Sequence, residues 1–196
     1  MSENRLKSEL TVNPANGTLL VATPVLDDSN FRQTVILLLQ HNDQGSFGVV
    51  LNRPADANIR KAWENLAGNE AEDARSENIV HGGPVGGPVF AIHQHEVFGE
   101  MEMPCGIFVS ARSENLKLLI QNEVERYKIV FGISSWDVGQ LQSEIDAGCW
   151  FTVSADADHV FGEMEWMWEQ QLRRYGREVT RLVFGLGELP EDPQLN

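Results

Sequence analysis

Three short apolar runs near the start of the chain place the strongest limit on its fold. Residues 18–24, 34–40 and 47–51 are rich in β-branched and aliphatic side chains, and each run has the length of a strand. A polar segment separates the first two, and the turn signal NDQG at residues 42–45 separates the last two. Because strands joined by short connections pair antiparallel, the sequence predicts an antiparallel three-stranded opening, partly buried on both faces.

The rest of the chain alternates between helical and strand patterns without a strict strand–helix–strand repeat. A helix capped by Asn58 is predicted to run to Ala67. Further helices are predicted from Ser113 to Glu125, from a capping box at Asp137 and Gln140 to Ala147, and from Met164 to near Gly176. Strands are predicted over residues 87–95, 106–110, 127–133, 150–153 and 179–184, and a charged loop over residues 69–78. The predicted fold class is α/β of the α+β type. It forms one domain over residues 1–196, with flexible tails at 1–15 and 187–196.

Composition sets the expected compartment. Hydrophobic residues make up 42% of the 196 residues, which suffices for a core without disulfide or metal staples. The first 16 residues lack the apolar stretch of a secretory signal, and the run Val35–Leu39 is far too short to span a bilayer. Cys105 and Cys149 are therefore predicted to be reduced, and the protein is expected to be soluble and cytoplasmic, without membrane contact.

The charge distribution bears on the kind of partner. The chain has 29 acidic and 15 basic residues, and no Lys or Arg occurs between Arg75 and Arg112 or between Lys128 and Arg173. Such a surface repels phosphate backbones, which argues against direct nucleic-acid binding. The exception is a group of four arginines, interpreted either as complements of a helix dipole with a Glu169–Arg173 pair, or as an anion or partner site: Arg173, Arg174, Arg177 and Arg181.

Sequence motifs of known chemistry are mostly absent. Neither a P-loop nor a dinucleotide-binding glycine motif occurs. The triplet His81-Gly82-Gly83 resembles the oxyanion loop of a hydrolase, but the nearest serine segment, residues 132–136, lacks the last glycine of a nucleophile elbow. We therefore interpret the glycines and prolines of residues 82–88 as a tight double turn that needs unusual φ angles.

Two histidines, His93 and His95, lie two apart on a predicted strand and would face the same side. We interpret them as solvated side chains, because a zinc site would need a third ligand at the same place. No catalytic residue, metal site or cofactor is predicted.

The candidate ligand-binding residues centre on Asn52-Arg53-Pro54, with His81, Gly82 and Gly83. Proline holds the residue before it in an extended conformation, which would present an amide and a guanidinium to a carboxylate or phosphate. The alternative is that Arg53 pairs with an acidic residue of the protein itself.

Four segments together resemble the YqgE/AlgH family of bacterial proteins over about residues 15–185. The segments are Gly17–Pro24 with Phe31 and Thr34–Leu38; His41 with Gly48 and Asn52-Arg53-Pro54; His81–Val85; and Gly139-Gln140-Leu141 with Glu144, Gly148 and Trp150. The resemblance implies a bent, largely antiparallel mixed sheet that curls into a pseudo-barrel flanked by helices. It also implies the label of transcriptional regulator, and the charge then points to an indirect effect.

Two functional hypotheses follow. The first is a non-catalytic, cytosolic binding or regulatory protein that acts through a protein partner or a small anion. The second is an enzyme that uses His41 or His81 as an acid–base group near Arg53, because histidine titrates near neutral pH. The first hypothesis is favoured, and the oligomeric state stays open.

Overall fold

Ten strands and five helices form the described part of the molecule. The computed structural model describes residues 12–68, 78–121 and 125–184. The strands are β1 (Thr18–Ala22), β2 (Val35–Asn42), β3 (Gly45–Val50), β4 (Ile79–His81), β5 (Phe90–His93), β6 (Met101–Met103), β7 (Ile107–Ser110), β8 (Tyr127–Phe131), β9 (Ser134–Trp136) and β10 (Trp150–Ser154). The helices are α1 (Ala57–Ala67), α2 (Ser113–Gln121), α3 (Gln140–Asp146), α4 (Ala157–Val160) and α5 (Met164–Phe184).

The strands form two five-stranded sheets. The first has the order β10-β1-β2-β3-β9, and all of its neighbouring strands are antiparallel. The second has the order β4-β8-β5-β7-β6, in which β4 and β8 are parallel and the other pairs antiparallel. The predicted antiparallel opening and the mixed, largely antiparallel character are confirmed. The strands belong to two hydrogen-bonded sheets rather than one, and the pseudo-barrel stays a prediction.

The two sheets share one apolar core, and each also buries its outer face. Alternate residues of β1 divide between them: Leu19 and Val21 join the shared core, whereas Leu20 and Ala22 pack on the opposite side with α3. The outer face of the second sheet is covered by α1 and α2, through Trp63 and the α2 stripe. Strands that are buried on both faces read as continuous apolar runs, which explains the opening pattern of the sequence.

A short crossover ties the two sheets together after β3. The N–H of Val50 donates to the oxygen of Gly82 at 2.8 Å, and Pro54 forms an antiparallel bridge with Val80. The N–H of Ala55 donates to Ile79 O at 3.0 Å, and the N–H of His81 donates to Arg53 O at 2.9 Å. We call residues 50–55 and 79–82 the sheet junction.

Two predicted helix starts are wrong by a few residues. Asp56, rather than Asn58, caps α1, because its side chain accepts from the N–H of Ile59 at 2.8 Å. At α3 only half of the capping box forms. Gln140 accepts from the N–H of Asp137 at 3.0 Å, but the left-handed Gly139 takes the N-cap position.

The predicted last strand, residues 179–184, is wrong, because α5 continues through Gly176 to Phe184. The apolar stripe of Leu172 and Tyr175 continues to Val179 at helical spacing, so the segment still presents one apolar face. An ion pair between Glu178 and Arg181 bridges adjacent turns of the helix.

Other differences concern short elements. The strands β4, β6 and β9 are additions to the predicted elements, and each has only three residues. Helix α2 is described as far as Gln121, and most of the predicted charged loop, residues 69–77, lies outside the described residues. No helix in the described part of the chain is long and apolar enough to cross a membrane.

Candidate functional site

Arg53 lies at the sheet junction, where the chain leaves β3 and reaches the edge of β4. Its carbonyl oxygen accepts from the N–H of His81. The next residue, Pro54, lies at the edge of the second sheet beside Val80, a position that suits proline because proline has no N–H to donate. The main chain is thus fixed on both sides of the residue. The half-buried side chain is held by one bond, from Nη2 to the oxygen of Arg32 at 2.9 Å.

Asn52 positions this region by bonding to the main chain. Its Oδ1 accepts from the N–H of Val35 at 2.9 Å, and its Nδ2 donates to the oxygen of Gln33 at 2.9 Å. These bonds clamp Gln33, which has a positive φ of 56°. Because both polar atoms are already used, Asn52 shapes the wall beside Arg53 rather than offering a free amide.

A cleft of about 510 Å³ opens beside Arg53, and we call it the Arg53 cleft. Its first wall comes from the segments that precede β2 and follow β3: Arg32, Gln33, Asn52, Arg53 and Pro54. Its second wall is one face of the first two turns of α5: Met164, Glu165, Trp168 and Glu169. The volume lies within the range of small-molecule sites, about 300–1,000 Å³.

The Arg53 guanidinium faces this cleft without an acidic partner. Among the described residues, no carboxylate forms an ion pair with Arg53, so the expected internal pairing is not found there. The side chain of Arg32 likewise forms no ion pair with a described residue and is exposed. Two arginines on one wall therefore keep most of their donors for a ligand.

A smaller concavity, the His81 hollow, also borders Arg53. It has about 130 Å³ and is lined by Ser29, Asn30, Val50, Arg53, His81, Gly83 and Pro84. A water takes about 30 Å³ of liquid volume, so this hollow has room for a few waters or one small ion. Of the candidate residues, Asn52 lines the Arg53 cleft, His81 and Gly83 line the His81 hollow, Arg53 lines both, and Gly82 lines neither.

Gly82 and Gly83 let the chain after β4 lie close to the end of β8 and the segment that follows it. A Cβ on Gly82 would lie 2.4 Å from the oxygen of Gly132, and a Cβ on Gly83, at φ 151°, would lie 2.4 Å from Ile133 O. Among the glycines of residues 82–88, only Gly83 has a positive φ, so the predicted double turn is wrong; close approach explains Gly82 and Gly83 but not Gly86 and Gly87. The nearby Ser134 is fully buried, and its hydroxyl donates to Gly82 O at 3.2 Å.

The two histidines of the enzyme hypothesis lie at different places. His41 pairs with Ser46 near the start of β3, and its Nδ1 lies 2.7 Å from the Ser46 hydroxyl. Arg53 follows the other end of that strand, about 13 Å or more away at about 3.3 Å per residue. The structure therefore brings exposed His81, but not His41, together with Arg53.

His93 contradicts the prediction of a solvated pair. Its ring is fully buried, whereas His95 lies just beyond the end of β5 and is partly exposed. His93 Nδ1 accepts the N–H of His95 at 3.2 Å, and Nε2 lies 2.8 Å from the Ser110 hydroxyl. Burial, and next the neighbouring His95, lower the pKa of His93 to about 4. Within the described residues, no three His, Cys, Asp or Glu side chains are grouped to hold a metal.

The remaining predicted features lie outside the Arg53 cleft. Cys149 is a half-buried free thiol packed beside the tryptophans Trp136 and Trp150. In the arginine group, Arg173 forms the expected pair with Glu169 at 3.3 Å, and Arg174 lies 2.6 Å from Nε2 of His159.

The second wall of the cleft was missed by sequence reasoning. Trp168 packs against the shared core, and its indole N–H donates to Ala22 O at 2.7 Å. Glu165 and Glu169 belong to the stretch between Lys128 and Arg173 that contains no Lys or Arg. Nothing in the local pattern indicates that the start of α5 lies against the segments around Arg32 and Arg53, which are more than a hundred residues earlier.

Comparison with known proteins gives a consistent match over most of the chain. The family model described as AlgH-like matches residues 19–180. A UPF0301 protein from Chlorobium limicola is 36% identical over 181 residues, covering 89% of this chain and 93% of the relative. A UPF0301 protein from Streptomyces coelicolor is 32% identical over 203 residues, covering 94% of this chain and 97% of the relative.

Solved structures show the same fold. The solution structure of the AlgH protein from Pseudomonas aeruginosa matches with a TM-score of 0.66 and 25% identity, covering 91% of this chain and 98% of that one. A crystal structure of a protein from Corynebacterium diphtheriae matches with a TM-score of 0.65 and 24% identity, covering 89% and 94%, and supports the fold alone.

Proposed function

This chain belongs to the AlgH-like family, and we propose that it is a non-catalytic binding protein that holds the anionic group of a small molecule at Arg53. The observation that carries the proposal is the half-buried Arg53 guanidinium. It borders a solvent-reachable cleft, and no described carboxylate neutralises it.

The chemistry of the first wall suits a carboxylate or phosphate. A guanidinium offers five donors in a fixed planar fork and binds such groups bidentately. In Arg53 one Nη2 donor bonds to Arg32 O, which fixes the direction of the fork before a ligand arrives. Such preorganisation lowers the ordering cost of binding.

The second wall supplies apolar area for the body of the ligand. The indole of Trp168 is anchored through Ala22, and Met164 lies one turn earlier on the same helix face. An aromatic ring with an anchored polar atom contributes contact area at little entropic cost.

A regulatory role would then reside in the ligand-bound protein. The net charge of −14 and the absence of Lys and Arg over long stretches disfavour contact with a nucleic-acid backbone. We therefore propose that any effect on gene expression is indirect, and that it follows from the binding of a ligand or a protein partner in the cytoplasm.

An NMR titration with two probes, caproate and inorganic phosphate, tests the proposal. Amide shifts are expected at residues 32–33, at 52–53 and in the first two turns of α5. The variant Arg53→Gln should weaken binding at least about tenfold, since it removes a charge-assisted bidentate contact of about 1.5–3 kcal/mol. Lys61→Gln, an equal charge change on the exposed face of α1, is the matched control.

Two results would count against this function. One is the absence of saturable shifts at the Arg53 cleft with either probe. The other is binding that Arg53→Gln and Lys61→Gln weaken equally, because that would show only a response to net charge.

A further inference from the structure

The two walls of the Arg53 cleft carry opposite charges, and from this we infer that its ligand is a small zwitterion. The inference rests on the proposed function and extends it. The anionic group of the ligand lies at Arg53, and a cationic group, such as an ammonium, lies at Glu165 on the opposite wall.

The lining charges are separated by wall. Arg32 and Arg53 stand on the wall made by the segments around β2 and β3, whereas Glu165 and Glu169 stand on α5. A ligand with only a negative charge would be attracted to one wall and repelled by the other. A ligand with both charges can make a favourable electrostatic interaction with each wall. Complementary charges of this kind determine specificity.

Glu165 is the carboxylate that is available to a ligand. Glu169 lies 3.3 Å from Arg173 one turn further along the helix, so part of its charge is already compensated. The Glu165 carboxylate forms no ion pair or hydrogen bond with another described residue, and the side chain is exposed. Its position in the first turn of α5 also holds it on a rigid element.

Between the two charged walls lies apolar surface. Met164 and Trp168 occupy the same helix face as the two glutamates, at positions one turn apart. The face of an indole also attracts an ammonium group. With about 510 Å³ available, the cleft suits a compact molecule whose carboxylate and ammonium are joined by a short apolar chain.

Three probes of nearly equal shape test the charge pattern. The first, ε-aminocaproate, carries both charges; caproate carries only the carboxylate, and hexylamine carries only the ammonium. Shorter and longer ω-amino acids then cover other charge separations. Dissociation constants are measured by NMR titration of the intact protein, followed at the amides of the Arg53 cleft.

We expect the best ω-amino acid to bind at least about fivefold more tightly than the carboxylate of the same length without the amino group. This factor corresponds to one exposed ion pair of about 1 kcal/mol. The variant Glu165→Gln should remove this advantage and leave caproate binding unchanged or slightly improved. Glu163→Gln removes the same charge two residues earlier, outside the cleft lining, and should leave both affinities unchanged. Thermal melts of both variants verify that α5 stays folded.

The possible failures separate the two proposals. Caproate binding that depends on Arg53, with no gain from an amino group in any chain length, would overturn the zwitterion and leave the proposed function standing. Equal weakening of caproate and ω-amino acid binding by Glu165→Gln would also overturn it, because the carboxylate would then act on the cleft as a whole. If no probe binds, both proposals fail together.

Discussion

The carboxylate of Glu144 shows how one side chain organises its surroundings. Its Oε2 accepts from the indole N–H groups of Trp136 at 2.9 Å and Trp150 at 2.8 Å, and Oε1 accepts from Gln140 at 2.9 Å. The two indoles pack edge to face, with Phe31 against both of them. Glu144 and Trp150 are among the residues that carry the family resemblance, but the sequence does not show their role. The structure shows that Glu144 accepts a hydrogen bond that Trp150 donates.

At the same scale, His93 makes stability depend on pH. The Ser110 hydroxyl donates to Phe98 O, so it accepts from His93 Nε2–H, and both ring nitrogens of neutral His93 are used. The pKa of His93 falls from 6.5 to about 4 on folding, chiefly through burial, so folding favours the neutral ring. Its stabilising effect is complete above pH 6.5 and is lost as the pH falls from 6.5 to about 4.

Urea denaturation over this pH range measures the effect. The free energy of unfolding should fall more steeply with decreasing pH in the wild type than in His93→Gln, which cannot take up that proton. His81→Gln, at an exposed position, serves as the control and should keep the wild-type slope. A slope in His93→Gln equal to that of the wild type would contradict the assignment.

At the scale of elements, the helix ends show where sequence reasoning stops. The periodic apolar stripes located all the longer helices, because a stripe is a property of many residues. Caps depend on one side chain and on the direction from which the chain enters, so Asp56 and Asn58 could not be separated. Three-residue strands are equally hard to predict, because they are too short to show an alternating pattern, and the partners of β4 and β9 are distant in the sequence.

The cap of α1 gives the second prediction. Asp56→Ala should lower the free energy of unfolding by about 1 kcal/mol, because the N–H of Ile59 loses its acceptor. Asn58→Ala, two residues later and inside the helix, should change it by less than about 0.5 kcal/mol. Chemical denaturation of both variants is the measurement, and an equal loss in the two would show that Asp56 is not the cap.

At the candidate site, the sequence predicted which residues of the sheet junction lie together, but not the opposite wall of the Arg53 cleft. Arg53 and His81 do lie side by side, since both belong to the sheet junction. The opposite wall of the Arg53 cleft could not be predicted, because it depends on how α5 packs against the first sheet. That packing is decided by side chains such as Met167 and Trp168, whose partners the sequence does not specify.

At the scale of the whole molecule, the sheet junction gives a further prediction. A methyl group on Gly82 would lie 2.4 Å from Gly132 O and 2.5 Å from Val130 Cγ1, both well inside contact distance. Gly82→Ala should therefore cost about 1–3 kcal/mol of stability through overpacking. Gly86→Ala, in the same glycine-rich segment but with nothing within 4 Å of the added atom, should be nearly neutral.

Thermal and chemical unfolding of the two variants give the comparison. A Gly82→Ala protein as stable as Gly86→Ala would show that the chain at the end of β8 can move away from Gly82 at little cost.

The junction has a consequence for how the molecule opens. The N–H groups of Val50, Ala55 and His81 each bond from one side of the crossover to the other, and Ala55 lies between the exposed residues Pro54 and Asp56. Such amides exchange with deuterium only when the crossover itself comes apart. Because Arg53 sits within that crossover, a bound ligand would slow exchange at these three amides. The hydrogen–deuterium exchange rates of these three amides would thus report whether the Arg53 cleft is occupied.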